Sequence, residues 1–418
     1  MQVIERLWLR HFKSFGEAEL KLLPLTVVVG GNASGKSNLV RAFRFLHDLM
    51  QVGVEEAAAR NGGGRTLANV FAPDAEFTLG ARWQVAPIES PFVQASPQGY
   101  GLERLVQVEY EGTFTAAHDV ESLEPQRERL EMRFAPAQAS EKKALPRILV
   151  QKEDVQITLR VSHPIPNGEK VFVDPWDSVG IMSGRAYSIV ELLRSPWREA
   201  LQQSLSVRVY DFAPHLAQMA TPMDGATRLE TDGSNLPTIV YRLLQREQTR
   251  TRLQSLIQTL LPYVASVQTA RLPNEAAYLQ VVEQFAERHT FSAPLLSDGT
   301  VHAIALIVAL FFDVRPNELA IIEEPDRHLH PKMIEKLMYL ARSASETRQI
   351  LATTHSPYLL DELRLAEVRI MSVDERGHAL CGKLTDHPKY EKWKGEFDPG
   401  ELWSFFGEDW LIPKGVAL

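Results

Sequence analysis

The chain has one cysteine, Cys381, among 418 residues, which excludes an intrachain disulfide framework and any multi-cysteine metal site. That usage fits a reducing cytoplasm, and cytoplasmic is the expected location. The opening residues Met1 to Arg6 carry no apolar signal-peptide core. The longest apolar run, Ala303 to Phe312, is too short to span a bilayer, so no membrane partner is expected. Sustained heptads are missing, which excludes a long coiled-coil arm, and no internal repeat stands out. Neither charge sign dominates: 45 Lys and Arg stand against 53 Asp and Glu, a net charge of −8. This balance does not suggest a polyanion coat, although a local basic patch would still admit nucleic acid. The remaining composition, 44% hydrophobic and 23% charged, is ordinary for a globular chain with one large core and a sizeable insertion.

Local patterning divides the chain. Val3–Leu9, Ala18–Leu22 and the apolar Leu25–Val29 are expected as strands, and Ser37–Met50 as a helix with apolar residues at helical spacing. Asn61-Gly62-Gly63-Gly64 reads as a loop. Phe77–Val85, Leu105–Tyr110, Leu130–Phe134 and Ile148–Val161 read as antiparallel strands. The middle reads as mostly helical, with Thr238–Leu261 the clearest case. An α/β pattern then returns: an apolar helix Val301–Phe312, a strand Leu319–Ile322, a helix from Pro331 and a strand Gln349–Ala352. The last forty or so residues show little periodicity and several aromatics, as expected of a docked tail.

Four motifs carry chemistry. Gly30-Gly31-Asn32-Ala33-Ser34-Gly35-Lys36-Ser37 matches G-x-x-x-x-G-K-[ST] between a buried strand and a helix. Its backbone amides suit phosphates, Lys36 suits the β- and γ-phosphates, and the Ser37 hydroxyl suits Mg²⁺. The apolar strand Leu319–Ile322 ends in Glu323-Glu324 at the edge where ligands meet a parallel sheet. There Glu323 is expected to hold the Mg²⁺ shell and Glu324 to polarise the attacking water. Leu296-Ser297-Asp298-Gly299-Thr300 caps the apolar helix, and Ser297 and Gly299 offer a second anion site at its start. One chain does not need two triphosphate cradles, whereas two chains head to tail would use one for each face of ATP. His355, in Thr353-Thr354-His355-Ser356-Pro357, follows a strand to the same sheet edge, where a γ-phosphate contact is expected.

In this order the motifs resemble the ABC-type ATPase domain of the RecF, SMC and OLD group over about residues 1–85 and 290–375. The resemblance implies an α/β fold: an ABC-type P-loop ATPase head with an antiparallel β subdomain and a helical insertion. The expected division is 1–185 for the N-terminal half of the head with its β subdomain, 186–288 for the helical insertion, 289–375 for the C-terminal half, and 376–418 for a tail. The resemblance also implies ATP and Mg²⁺ as cofactors. Gly30, Asn32, Ser34, Gly35, Lys36 and Ser37 would bind nucleotide, and Ser37 and Glu323 the metal. Glu324 and His355 would be catalytic. Ser297 and Gly299 fall at signature positions that contact ATP on the opposite protomer. Leu9-Arg10-His11-Phe12-Lys13-Ser14-Phe15 places Lys13 near the nucleotide base. Asp326 to Pro331 occupies the D-loop position.

Four departures shape the functional expectation. Glu323 stands where most ABC proteins have aspartate, and Ser-Asp-Gly-Thr replaces Ser-Gly-Gly-Gln, a form that resembles bacterial OLD-like proteins. No Q-loop glutamine is evident. The chain also ends soon after His355, where OLD nucleases carry a Toprim domain. The expected function is therefore an ATPase that dimerises around ATP, as a homodimer or higher homo-oligomer. It would regulate a separately encoded nuclease or toxin in anti-phage defence. A RecF-like ATPase that binds DNA is the alternative.

Overall fold

The computed structural model describes residues 3–71, 75–85, 104–116, 122–135, 147–154, 156–162, 187–193, 197–223, 225–273, 276–286, 289–315, 318–393 and 395–412. The chain begins with a hairpin, β1 (Val3–Arg10) and β2 (Glu17–Lys21), then β3 (Leu25–Gly30) and helix α1 (Lys36–Val52). Two short helices follow, α2 (Val54–Arg60) and α3 (Gly64–Leu67). A β meander comes next: β4 (Glu76–Gln84), β5 (Arg104–Ala116), β6 (Leu123–Ala135), β7 (Arg147–Glu153) and β8 (Gln156–Ser162). The middle holds α4 (Ile189–Leu192), α5 (Trp197–Ser204), β9 (Ser206–Tyr210), α6 (Pro214–Ala217) and β10 (Thr221–Pro222). It continues through α7 (Leu236–Leu244), α8 (Glu247–Leu260), β11 (Val264–Arg271), β12 (Ala276–Glu283) and β13 (Thr290–Ser292).

The last third comprises α9 (Asp298–Val308), β14 (Glu318–Glu323), α10 (Pro331–Ser345), β15 (Gln349–Thr354) and α11 (Pro357–Asp361). It ends with β16 (Val368–Val373), β17 (Ala379–Gly382), α12 (Tyr390–Trp393) and α13 (Pro399–Phe406).

Two sheets position the site. The central sheet has the order β17-β16-β3-β15-β14-β9 and is parallel except at the β16–β17 edge. Its inner strands are buried on both faces, which is why they appear as unbroken apolar runs. Val28, Ile321 and Leu351 point into one core; Val27, Val29, Ile322 and Ala352 point into the other. An antiparallel sheet, β2-β1-β4-β5-β6-β7-β8, covers α1 on the first face. Helices α8, α9 and α10 cover the second face. The result is an α/β P-loop head with an antiparallel β subdomain.

The middle of the chain is mixed rather than mostly helical. It supplies β9 to the central sheet, and β10, β12, β11 and β13 form a small antiparallel sheet. The single helix expected over Thr238–Leu261 is two helices, α7 and α8. They break at Arg246, whose backbone is extended (φ −111°, ψ 128°). The apolar helix begins earlier, at Asp298, and winds into a wider π turn over Ala309–Asp313. The tail is more integrated than its composition suggests: β17 extends the central sheet and α13 packs on α11 through a bond from Gly400 N to Asp361 Oδ1 (2.7 Å). Residues 163–186, expected to close the N-terminal half, lie outside the described residues.

Candidate functional site

Parallel pairing brings the motif-bearing strand ends together. Val29 of β3 pairs with Thr354 of β15, and Thr353 pairs with Glu323 of β14. Tyr210 of β9 pairs with Ile322. Gly30, Glu323-Glu324, His355 and Asp211 therefore emerge at one carboxyl edge, the edge where open α/β sheets take ligands.

The phosphate loop runs from Gly30 into α1. Gly35 has φ +100°, a left-handed conformation, and a Cβ there would lie 2.7 Å from the Ala379 side chain, so only glycine fits. Lys36 is buried inside the loop and its Nζ donates to the carbonyls of Gly30 and Gly31 (2.8 Å each) and to Ser34 Oγ (3.2 Å). These contacts hold the ammonium at the loop's centre. Burial lowers its pKa, while Glu408 and Glu324 oppose that shift. Asn32 and Ser37 are exposed, and Ser34 is buried.

Glu324 sits between two cationic or protonatable partners. Its carboxylate accepts from Arg327 Nε (3.0 Å) and lies 3.6 Å from His355 Nε2. Its backbone is left-handed (φ 47°), and its amide donates to Thr353 O (2.8 Å). Burial raises the pKa of the neighbouring Glu323 carboxyl; Asp211 and Glu324 push it further, and Arg44 opposes them. Clustered acids raised in this way favour a bound cation. Among the described residues no group of three or more His, Cys, Asp or Glu side chains could hold a metal.

Ser297 caps α9, its Oγ accepting from Thr300 N (3.2 Å). Gly299 packs on the loop after Glu324: a Cβ there would lie 2.4 Å from His328 O. Lys13 has φ 48° and donates to Thr66 O (2.7 Å); burial, then Arg41, lowers its pKa to about 8. It faces a groove beside α1. The phosphate loop, both glutamates and His355 thus share one edge, whereas Ser297 and Gly299 lie at the start of α9 and Lys13 lines the groove.

Three neighbours escaped sequence reasoning. Asp211 follows β9 and pairs with Arg327 (3.4 Å); Arg44 lies on α1; Glu408, in the tail, lies against Gly31. Asp211 carried only a weak signal, since Val207, Val209 and Tyr210 favour a strand ending in an acid but Arg208 interrupts the apolar run.

The family described as "AAA domain, putative AbiEii toxin, Type IV TA system" matches residues 25–146 and 210–361, more than half of the chain. The chain belongs to that family. The matched spans contain the phosphate loop, the acidic pair, the Ser297 turn and His355, so this AAA-domain assignment covers all four motifs. A curated relative, the Septu protein PtuA of Bacillus thuringiensis, is 39% identical over 66 residues, spanning 16% of this chain and 17% of that protein. Solved structures similar to the chain include an SMC head bound to the C-winged helix domain of ScpA (TM-score 0.47, 14% identity, 91% of this chain and 97% of that one). Another is the SMC head domain from Thermotoga maritima (TM-score 0.40, 11% identity, 91% and 98%). A third is the Smc head domain with an extended coiled coil, bound to the C-terminal domain of ScpA derived from Pyrococcus furiosus (TM-score 0.43, 11% identity, 94% and 99%). Among the described residues no helix is long and apolar enough to cross a membrane.

Proposed function

We propose that the chain is a cytoplasmic, Mg-dependent ATPase that closes as a dimer or higher homo-oligomer around ATP and thereby switches a separately encoded nuclease or toxin in anti-phage defence. The observation that carries this reading is the convergence of the phosphate loop, Glu323-Glu324 and His355 on one sheet edge. Ser37 and Glu323 would hold Mg²⁺, and the cation would neutralise charge on the transferred phosphoryl group. Lys36 and the loop amides would orient the phosphates. Glu324, which contacts Arg327 and His355 through its two carboxylate oxygens, would accept the proton of the attacking water, and His355 would contact the γ-phosphate.

Ser297 and Gly299 support the dimer. Their turn caps a helix whose amides suit an anion, and the chain already has a phosphate loop of its own. The toxin–antitoxin link in the family's description supports a separate effector. The Septu relative supports the same reading over its short aligned stretch, and the Ser-Asp-Gly-Thr turn supports the OLD-like subgroup.

The test is Glu324→Gln with ATP and Mg²⁺. Hydrolysis should fall by at least about a hundredfold while ATP binding persists and a stabler dimer accumulates by light scattering. Undiminished hydrolysis, or a monomer at saturating ATP, sinks the closure mechanism.

One observation favours the alternative, a RecF-like DNA-binding ATPase. A groove of about 700 Å³ beside α1 is lined by Lys13, Arg41, Arg44, His47, Arg60 and Arg208. Arg41 and Arg44 make no ion pair among the described residues, in contrast to Arg60 and Arg208. DNA binding that weakens steeply with salt and needs Arg41 and Arg44 would support it.

A further inference from the structure

The loop carrying Glu324 is clamped to the helix carrying Ser297, and one buried histidine makes the clamp. His302, one turn into α9, is 1% exposed and its Nε2 lies 3.2 Å from Pro325 O. A carbonyl oxygen can only accept, so Nε2 carries the proton and Nδ1 is the bare nitrogen. That Nδ1 is buried and has no hydrogen-bond partner among the described residues. Burial lowers the ring's pKa to about 4, with Pro325 O opposing and the nearby His328 and Arg327 charges adding to the drop. The ring is therefore neutral near pH 7. An unpaired buried nitrogen is costly, and a phenylalanine of similar size would avoid that cost. What the histidine has and a phenylalanine lacks is the bond to Pro325 O.

Its other neighbours point the same way. The ring stands edge-on to Phe212 (centroids 5.8 Å), the residue after Asp211, and to His328 (6.1 Å). The loop it touches is strained: Glu324 (φ 47°) and His328 (φ 64°) both adopt the left-handed conformation without being glycine. Such positions persist only where the surroundings over-determine them. Here α9 presses on the loop twice, through His302 on Pro325 O and through Gly299 on His328 O.

We infer that His302 is a positioning residue that ties the backbone at Pro325, next to Glu324, to helix α9, so the start of α9 and the hydrolytic carboxylate move as one body. The inference rests on the roles proposed for Glu324 and Ser297. In a head-to-tail dimer Ser297 serves the partner's nucleotide while Glu324 serves its own. His302 then couples the two ATP sites, and occupancy of one sets the geometry of the other.

Two variants test this in the full-length protein. His302→Phe keeps the ring volume and loses the donor; His302→Gln keeps a donor that can reach Pro325 O. In His302→Phe, amide hydrogen exchange over residues 324–328 should quicken about tenfold and kcat should fall about tenfold. KM for ATP should stay within about twofold, and the Hill coefficient should drop toward one. His302→Gln should restore exchange and kcat to within about threefold of the parent. Unchanged exchange in His302→Phe, raised exchange with kcat intact, or failure of glutamine to restore either quantity overturns the inference. A parent protein that does not hydrolyse ATP overturns the hydrolytic reading instead, and the exchange rates still decide whether His302 holds the loop.

Discussion

At the scale of single residues, Glu323 is the carboxylate proposed to hold the cation. Burial and the charges of Asp211 and Glu324 hold its carboxyl above the usual range, so the charged form strains the protein without bound metal. A carboxyl whose folded pKa exceeds its unfolded pKa takes up its proton more readily in the folded state. The folded state therefore gains stability as pH falls through the folded pKa and loses it as pH rises. Glu323→Gln should raise the thermal midpoint of the nucleotide-free protein at about pH 8, by an amount that shrinks toward about pH 5. The same variant should lose the further stabilisation that ATP with Mg²⁺ confers on the parent. Differential scanning fluorimetry across pH, with and without nucleotide, reads both effects.

Among the elements, the tail segment after α13 invites a direct test. Trp410 and Leu411 lie against Gly382 of β17, and His387 stacks on Phe406 at 3.8 Å. This packing delivers the half-buried Glu408 to Gly31 and makes it the stronger of the two negative charges, with Glu324, that oppose the lowering of the Lys36 pKa. A carboxylate beside the phosphate loop opposes an incoming triphosphate. Glu408→Gln should tighten ATP binding roughly two- to fivefold at low ionic strength, with the gain shrinking as salt screens the charge. Fluorescent-nucleotide titrations at two salt concentrations measure it, and equal affinities at low salt would remove Glu408 from the site. The tail's aromatic composition announces docking, but nothing local to it specifies Gly31 as the target.

For the whole molecule, the two cores do different work. Helix α1 is seated on the antiparallel sheet by Phe45, which packs edge-on against Phe77 (5.9 Å) and Phe114 (5.8 Å), with Phe12 at 6.3 Å. Phe45→Ala should cost about 3–5 kcal/mol in denaturant unfolding and weaken ATP binding, because the phosphate loop leads into that helix. The sequence by itself determined the nucleotide chemistry. The phosphate loop and the acidic pair each follow a strand buried on both faces, which leaves an apolar run that local patterning detects. It also determined the antiparallel subdomain, through alternation along β4 to β6. Only the tertiary structure decided that β9 lies beside β14. Arg208 interrupts that strand's apolar run, and its charge is met by Asp313 from a distant part of the chain (3.3 Å). The approach of Glu408 to Gly31 and the clamp of His302 on Pro325 were decided there too. Each depends on contacts between segments far apart in sequence, and a pattern with a period of two or 3.6 residues records only which face of an element is buried, not what covers it.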